Sequence, residues 1–276
     1  MYTPHVPDLV RQFLTLFPIG LGIGFVGSLI GVGGGFFVVP LLLLALEGFT
    51  KESATAASLG IVFLGSLSAT VGNVRRRRVD YRTGLVMAAG TLPGAWLGRV
   101  MIDWFSDRAF RYAFAGLLAS IAFYLIFVRL KQGKGLIRGT PREVRDSEGQ
   151  RYAYEVNLPA GFAASLGVGV ISSLFGVGGG LILVPFMVIV FGAPTIVATS
   201  CAQFVFVFTT AAGVAVAAAG GQMTGPGLGV VLTMGPGAVL GAQLGVAAAK
   251  RVPERLIRGT ISAVLIGVAA LMFLRR

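Results

Sequence analysis

The chain has 276 residues, of which 55% are hydrophobic and only 12% charged. Soluble domains carry about a quarter charged residues, so this composition excludes one and indicates a polytopic membrane protein, with apolar runs near the ~20 residues that cross a bilayer. The net charge of +12 lies in short basic clusters between apolar runs, as the positive-inside rule expects, and no basic helix with interleaved aromatics argues for nucleic acid.

The first residues, 1–12, form a short polar tail. Residues 13–30 are apolar and run into the knot Gly31-Val32-Gly33-Gly34-Gly35. The run lacks a small-x-small cleavage site and continues into the glycines, so it reads as retained rather than as a cleaved leader. Residues 36–46 are a second apolar piece, too short to cross alone. Lys51 and Glu52 mark a turn, and Ser53 offers a helix N-cap. In the segment 54–73, Ala54, Ser58, Gly65, Ala69 and Gly72 fall near one helical face and permit close helix contact. Arg75 to Arg78 and Arg82 form a basic loop. The segment 83–101 contains Pro93-Gly94-Ala95-Trp96-Leu97-Gly98, and Trp104 follows where an interfacial aromatic belongs. Asp103, Asp107, Arg108 and Arg111 make a mixed-charge loop, and residues 112–128 end the first half.

Residues 129–157 are the one hydrophilic linker, with Arg129, Lys131, Lys134, Arg138, Arg142, Arg145 and Arg151, expected as a short surface helix or hairpin without a catalytic motif. The remainder repeats the first half in order. Residues 160–175, the knot 176–180 and residues 181–191 match the opening element. Gly22, Gly24, Ser28, Leu29, Gly31, Gly33, Gly34, Gly35 and Pro40 pair with Gly167, Gly169, Ser173, Leu174, Gly176, Gly178, Gly179, Gly180 and Pro185. In the segment 195–219, Ala198-Thr199 answers Ala54-Thr55. In 228–249, Pro236-Gly237-Ala238-Val239-Leu240-Gly241 answers the earlier box, and 256–274 closes the chain. The chain thus divides into a tail (1–12), a first transmembrane repeat (13–128), a cytoplasmic linker (129–157) and a second repeat (158–276).

Equivalent loops carry opposite charge character. The loop after the second element is arginine-rich in the first half and uncharged in the second (220–227). The loop after the third is mixed in the first half and basic in the second, with Lys250, Arg251, Arg255 and Arg258 against Glu254. Placing the three basic stretches in the cytoplasm requires inverted repeats with an odd number of crossings each. Both termini then fall outside the cytoplasm, against which Arg275 and Arg276 argue mildly. Each opening element is then a re-entrant hairpin or a full helix plus a short return helix; parallel repeats with four crossings each are the alternative. Inverted repeats with helices broken at mid-membrane are a transporter plan. The expected fold is an all-α membrane protein, a helical bundle of two inverted repeats that each open with a glycine-broken or re-entrant helix.

Irregular backbone survives in hydrocarbon only where protein or a cavity surrounds it. A half-helix starting after each knot would aim free N–H groups and a positive dipole end at the midplane, which favours an anion. The candidate substrate residues are Gly33, Gly34, Gly35, Gly178, Gly179 and Gly180, with neutral hydrogen bonds from Ser28, Ser173, Thr55, Ser58, Thr199, Ser200 and Gln203, and Ser172 close by. The competing reading is that the knots serve only close helix packing, and that the hydroxyls bond back to their own helices. Gly94-x-x-x-Gly98 and Gly237-x-x-x-Gly241-x-x-x-Gly245 read as packing, and Cys201 as a small packing residue. Glu47, Asp103 and Glu254 lie at segment ends, so no buried carboxylate relay is expected. Arg99 is placed to attract an anion or, as its terminal position favours, to snorkel to the interface. The single Cys201 and His5 exclude an internal disulfide, a CxxC pair and a metal cluster. No nucleotide loop, nucleophile–base pair or cofactor motif is present, so an enzyme is disfavoured.

The paired Gly-Val-Gly-Gly-Gly-x-x-x-x-Pro motifs, the Ala-Thr after each and the Pro-Gly-Ala-x-Leu-Gly boxes resemble the TauE/SafE family of sulfite exporter-like membrane proteins, over both repeats. The resemblance implies a multi-pass protein of the bacterial inner membrane that moves small sulfur-containing anions such as sulfite or sulfonates, with Gly33 to Gly35 and Gly178 to Gly180 near the substrate. Ser200-Cys201-Ala202-Gln203 stands opposite Ala56-Ala57-Ser58-Leu59, so the two half-sites are chemically unequal. The expected partners are a small anion and the lipid bilayer. The coupling ion, direction and oligomeric state stay open, as does an anion channel with the knots as its filter.

Overall fold

A computed structural model describes residues 6–127, 135–223, 225–249 and 254–274. The order is α1 (Val6–Ile30), α2 (Gly35–Ala45), α3 (Lys51–Arg75), α4 (Tyr81–Met101), α5 (Asp107–Phe127), β1 (Thr140–Arg145), β2 (Arg151–Val156), α6 (Leu158–Phe175), α7 (Gly180–Val190), α8 (Thr195–Ala219), α9 (Gly225–Ala248) and α10 (Glu254–Leu274), with a 3-10 turn Ile102–Trp104 after α4. Part of the expected tail is therefore helical, since α1 begins at Val6. Residues 1–5 lie outside the described residues, as do Arg129, Lys131, Lys134, Lys250, Arg251, Arg275 and Arg276.

Among the described residues, six helices are long and apolar enough to cross a membrane, whereas the helices after the two knots have 11 residues each. Each opening element is thus a long helix followed by a short one. The helix starts have identifiable causes. Thr50, not Ser53, caps α3: its hydroxyl accepts from the Ser53 amide at 3.3 Å while Ser53 Oγ accepts from the Thr50 amide at 3.0 Å, a reciprocal capping box. Asp80 caps α4 and Asn157 caps α6. The helices α2 and α7 have no side-chain cap; they start from Gly34 and Gly179 at φ 82° and 73°. Glycine reaches that left-handed region without the penalty a Cβ would impose.

Small residues set the helix pairs. α4 lies on α6, where Cβ atoms at Gly94 and Gly98 would strike the carbonyls of Leu166 and Val170. α9 lies on α1 in the same way, with Gly237, Gly241 and Gly245 against the carbonyls of Phe17, Leu21 and Phe25. The small face of α3 turns to α9, where Ala69 packs with Ala242 and Val246. Exchanging the two halves maps the main pairs onto each other: α1·α9 onto α6·α4, α3·α9 onto α8·α4, and α2·α3 onto α7·α8. The remaining pairs, α3·α8 and α5·α10, each join a helix to its own counterpart. Leu59, early in α3, meets Gly213, late in α8, and the ring of Tyr112, early in α5, packs tilted against that of Phe273, late in α10, with centroids 5.2 Å apart. Both pairs therefore run antiparallel.

The linker is a two-stranded antiparallel hairpin. Its inner face presents Arg142, Val144, Tyr152 and Tyr154, and Val144, Tyr154 and Val156 are buried with α4, α7 and α8 side chains. The preceding segment donates from the Leu136 and Ile137 amides to the Ile189 and Val190 carbonyls at 3.3 Å, and the tip donates from Ser147 to the Arg76 carbonyl at 3.0 Å. Tyr154 Oη donates to Asp80 Oδ2 at 2.8 Å, and the Asp80 amide donates to Cys201 Sγ at 3.3 Å. One buried residue thus ties three elements together: the Asp80 carboxylate holds the hairpin and the start of α4, and its backbone amide holds α8. Arg78 is buried beneath the tip, and that burial pushes its guanidinium below the usual value.

Candidate substrate site at the glycine loops

Each loop spends its glycines on left-handed backbone: Gly31, Gly33 and Gly34 at φ 80°, 81° and 82°, and Gly176, Gly178 and Gly179 at 67°, 84° and 73°. The first loop is closed by the Val32 and Gly33 amides, which both donate to the Gly27 carbonyl at 2.8 and 3.2 Å. The second is closed by Val177, which donates to the Ser172 carbonyl at 3.1 Å.

The two loops meet. A Cβ at Gly35 would strike the Gly176 carbonyl oxygen, and a Cβ at Gly180 would strike the Gly31 carbonyl oxygen. The contact is reciprocal, each short helix starting against the other repeat's loop. Beneath them lie Val62 and Phe206, each equally far into α3 and α8. A Cβ at Gly33 or at Gly178 would stand 2.8 Å from Val62 Cγ1, and one at Gly180 would stand 2.7 Å from Phe206 Cε2. Ser58 joins the loops directly: its Oγ lies 2.7 Å from the Gly176 carbonyl oxygen and 3.4 Å from that of Gly35.

The other candidates divide by location. Thr55 lies against the second loop, its Cα 2.9 Å from the Cβ position of Gly176, and Thr199 lies against the first, 2.7 Å from that of Gly31. Gln203 Nε2 donates to the Gly27 carbonyl at 3.1 Å, and its buried Oε1 has no hydrogen-bond partner. Ser28 packs on α9 at Gly245, Ser173 faces Gly213 of α8, and Ser200 donates back to the Ile196 carbonyl at 2.7 Å. The Ser172 and Ser173 hydroxyls are buried without a partner. The orphaned oxygens of Ser172, Ser173 and Gln203 all belong to the second repeat, so the two sides differ as the sequence implies.

Two residues stand differently from their expected places. Arg99 does not snorkel: it is 1% exposed and ranks among the largest fully buried side chains. Its guanidinium donates to Thr55 Oγ1 and to Gln222 Oε1, each at 2.6 Å, and to the Glu52 carbonyl at 2.8 Å. Asp80, which no sequence motif marks, is a buried carboxylate at the opposite end of α4, about 28 Å away at 1.5 Å per residue. At the Arg99 end, a cavity of about 370 Å³ is lined by Thr50, Lys51, Asp107 and Arg111 among apolar side chains. There Lys51 pairs with Glu52 and, at 3.3 Å, with Asp107.

Broken helices that meet inside an apolar bundle, with irregular backbone buried in protein, are the architecture of a membrane transporter. The chain belongs to the sulfite exporter TauE/SafE family, whose model matches residues 16–272. It is 29% identical over 262 residues to the probable membrane transporter protein YunE of Bacillus subtilis (strain 168), covering 92% of this chain and 95% of that protein. It is 24% identical over 191 residues to the probable membrane transporter protein MJ0441 of Methanocaldococcus jannaschii, covering 66% and 65% of the two chains. No solved structure matches it. The protein is a multi-pass membrane protein of a transporter family, not an enzyme.

Proposed function

We propose that the protein is a secondary transporter of a small anion, sulfite or an organosulfonate, across the inner membrane, with its site where the two glycine loops meet. The observation that carries this reading is the buried, reciprocal meeting of two short-helix N-termini that lack side-chain caps. Of the first four amides, which a helix leaves without an ordinary partner, Phe37 and Ile182 donate to the cap carbonyls of Gly34 and Gly179 at 3.0 and 3.1 Å, and the amides before them are left for a ligand; the dipole end favours negative charge. Ser58 stands at the loops, while the Thr55 and Thr199 hydroxyls donate back to their own helices, at 2.8 Å to the Lys51 carbonyl and 3.1 Å to the Ile196 carbonyl, and so offer a ligand only their acceptor lone pairs unless they rotate. The antiparallel packing of α3 on α8 and of α5 on α10 supports inverted repeats, and the arginine-rich turn between α3 and α4, to which the hairpin tip bonds at Arg76, supports a cytoplasmic side there. Transport then rocks one repeat against the other and parts the loops.

Reconstituted protein loaded with unlabelled sulfite should take up labelled sulfite by saturable counterflow. Gly34→Leu with Gly179→Leu should abolish it while the protein still inserts. Unsaturable flux without counterflow would make the path a channel, and normal uptake by the double variant would remove the loops from the site.

A further inference from the structure

Every acceptor of the Arg99 guanidinium is neutral: a hydroxyl, a side-chain amide and a backbone carbonyl. The carboxylates that face it are Glu52 and Asp103. Glu52 is engaged by Lys51, and among the described residues no carboxylate lies within ion-pair distance of Arg99. A buried charge without a counterion is among the costliest arrangements in a protein, and an ionisable group at membrane depth marks a ligand path. The position is also unmatched: the first Pro-Gly-Ala-x-Leu-Gly box is followed by Arg99, and the second by Ala242. Arg99 is one side chain from the loops, because its acceptor Thr55 is the residue on which Gly176 packs. Its remaining partner, Gln222, comes from the turn between α8 and α9 in the other repeat.

We propose that Arg99 reads the charge of the transported substrate: an oxyanion with one negative charge binds its guanidinium beside the second glycine loop and displaces the Gln222 amide oxygen. This rests on the transporter reading and adds to it the residue that sets charge selectivity. One guanidinium balances one negative charge, so a sulfonate or bisulfite leaves the buried site neutral, whereas a dianion such as sulfate leaves it negative. The planar fork of N–H groups matches two oxygens of one ligand and gives no such match to a halide. Because Gln222 Oε1 holds Nε, it competes with the substrate, and its removal frees the fork.

The test measures [14C]methanesulfonate counterflow in proteoliposomes of the full chain, with sulfate and chloride as competitors. In the wild type, sulfate should compete at least about tenfold less well than unlabelled methanesulfonate. R99Q should raise KM at least about tenfold. R99K, which keeps the charge and loses the fork, should restore part of the affinity and let chloride compete. Q222A should lower KM. R99Q with wild-type KM, or Q222A with unchanged KM, overturns the role of Arg99 while leaving transport intact. If R99Q does not fold, R99K and Q222A decide by the same readouts. A wild type that moves neither methanesulfonate nor sulfite overturns the transporter reading and this proposal together.

Discussion

The reciprocal loop contact makes its sharpest prediction at Gly180. Alanine there meets no torsional penalty, because Gly180 is the first residue of α7 and lies outside the left-handed region. The whole effect is steric. The added Cβ would strike the Gly31 carbonyl oxygen, stand 2.5 Å from Val32 Cα and 2.7 Å from Phe206 Cε2. Carbon atoms rest about 3.5–4.0 Å apart, so the first loop must retreat by about 1 Å. The cost belongs at the upper end of overpacking, about 3 kcal/mol. Gly22→Ala is the control: it is interior to α1, a Cβ there has nothing within 4 Å, and it should gain about 1 kcal/mol from helix propensity. The two variants should therefore differ by about 4 kcal/mol, on the order of 10 °C in thermal midpoint, followed by intrinsic fluorescence in detergent. Flux should fall only in Gly180→Ala. Equal midpoints and equal flux would show that the loops do not hold one another as described.

Ser58→Ala removes the hydroxyl shared by the Gly35 and Gly176 carbonyls and should cost about 1–3 kcal/mol, read as a lowered thermal midpoint; an unchanged midpoint would mean that the loops hold without it. Tyr154→Phe removes the phenol's bond to Asp80 and leaves Arg142, 4.0 Å from the same carboxylate, to hold the hairpin there; the loosened docking should make Cys201, buried and bonded to Asp80 in the wild type, react with a maleimide that leaves the wild type unlabelled. Burial, Cys201 and Asp80 raise the Tyr154 phenol above its usual value. The protonated form is thus the folded one, so its contribution is complete below about pH 10, where an unfolded tyrosine titrates, and is lost as pH rises beyond it. Tyr154→Phe should flatten that alkaline loss in a pH series of melting curves, and an identical slope in both proteins would count against the hairpin docking. Gln203→Leu gives the second repeat the residue of the first, Leu59; the Gly27 carbonyl keeps its two amide donors, so stability should change by no more than about 1 kcal/mol while substrate KM rises.

The two breaks were legible to the residue because they depend on local chemistry. Only glycine accepts three left-handed positions in so short a loop, and α2 and α7 start where the knots end, at Gly35 and Gly180. The glycine boxes of α4 and α9 were legible as packing for the same reason: a missing Cβ signals a neighbour close enough to touch backbone. What the loops touch was not legible, because the partner of Gly35 is Gly176, and no periodicity encodes the register between repeats. Arg99 was misplaced because its position at a helix end favours the interface, whereas its burial depends on Thr55 and Gln222 from distant segments. The hairpin left a signal in the alternation of Val144 with its neighbours and of Tyr152, Tyr154 and Val156. Charged residues on both faces, Arg142 on the inner one and Glu143, Arg145, Arg151 and Glu155 on the outer, obscured it. The α3 cap was displaced from Ser53 to Thr50 because both hydroxyls take part in one capping box.

The Ser58 hydroxyl and the Gly176 carbonyl are 118 residues apart, and this separation bears on how the protein is made. Chains lengthen at about 5–20 residues per second, so the first loop waits on the order of ten seconds for the backbone that covers it. During that interval its irregular backbone faces lipid or the insertion machinery, where unsatisfied peptide groups are costly. A first repeat released alone should therefore be a substrate for membrane quality control rather than a stable half-transporter, and co-expression of the severed second repeat should rescue it by supplying Gly176 and Gly180.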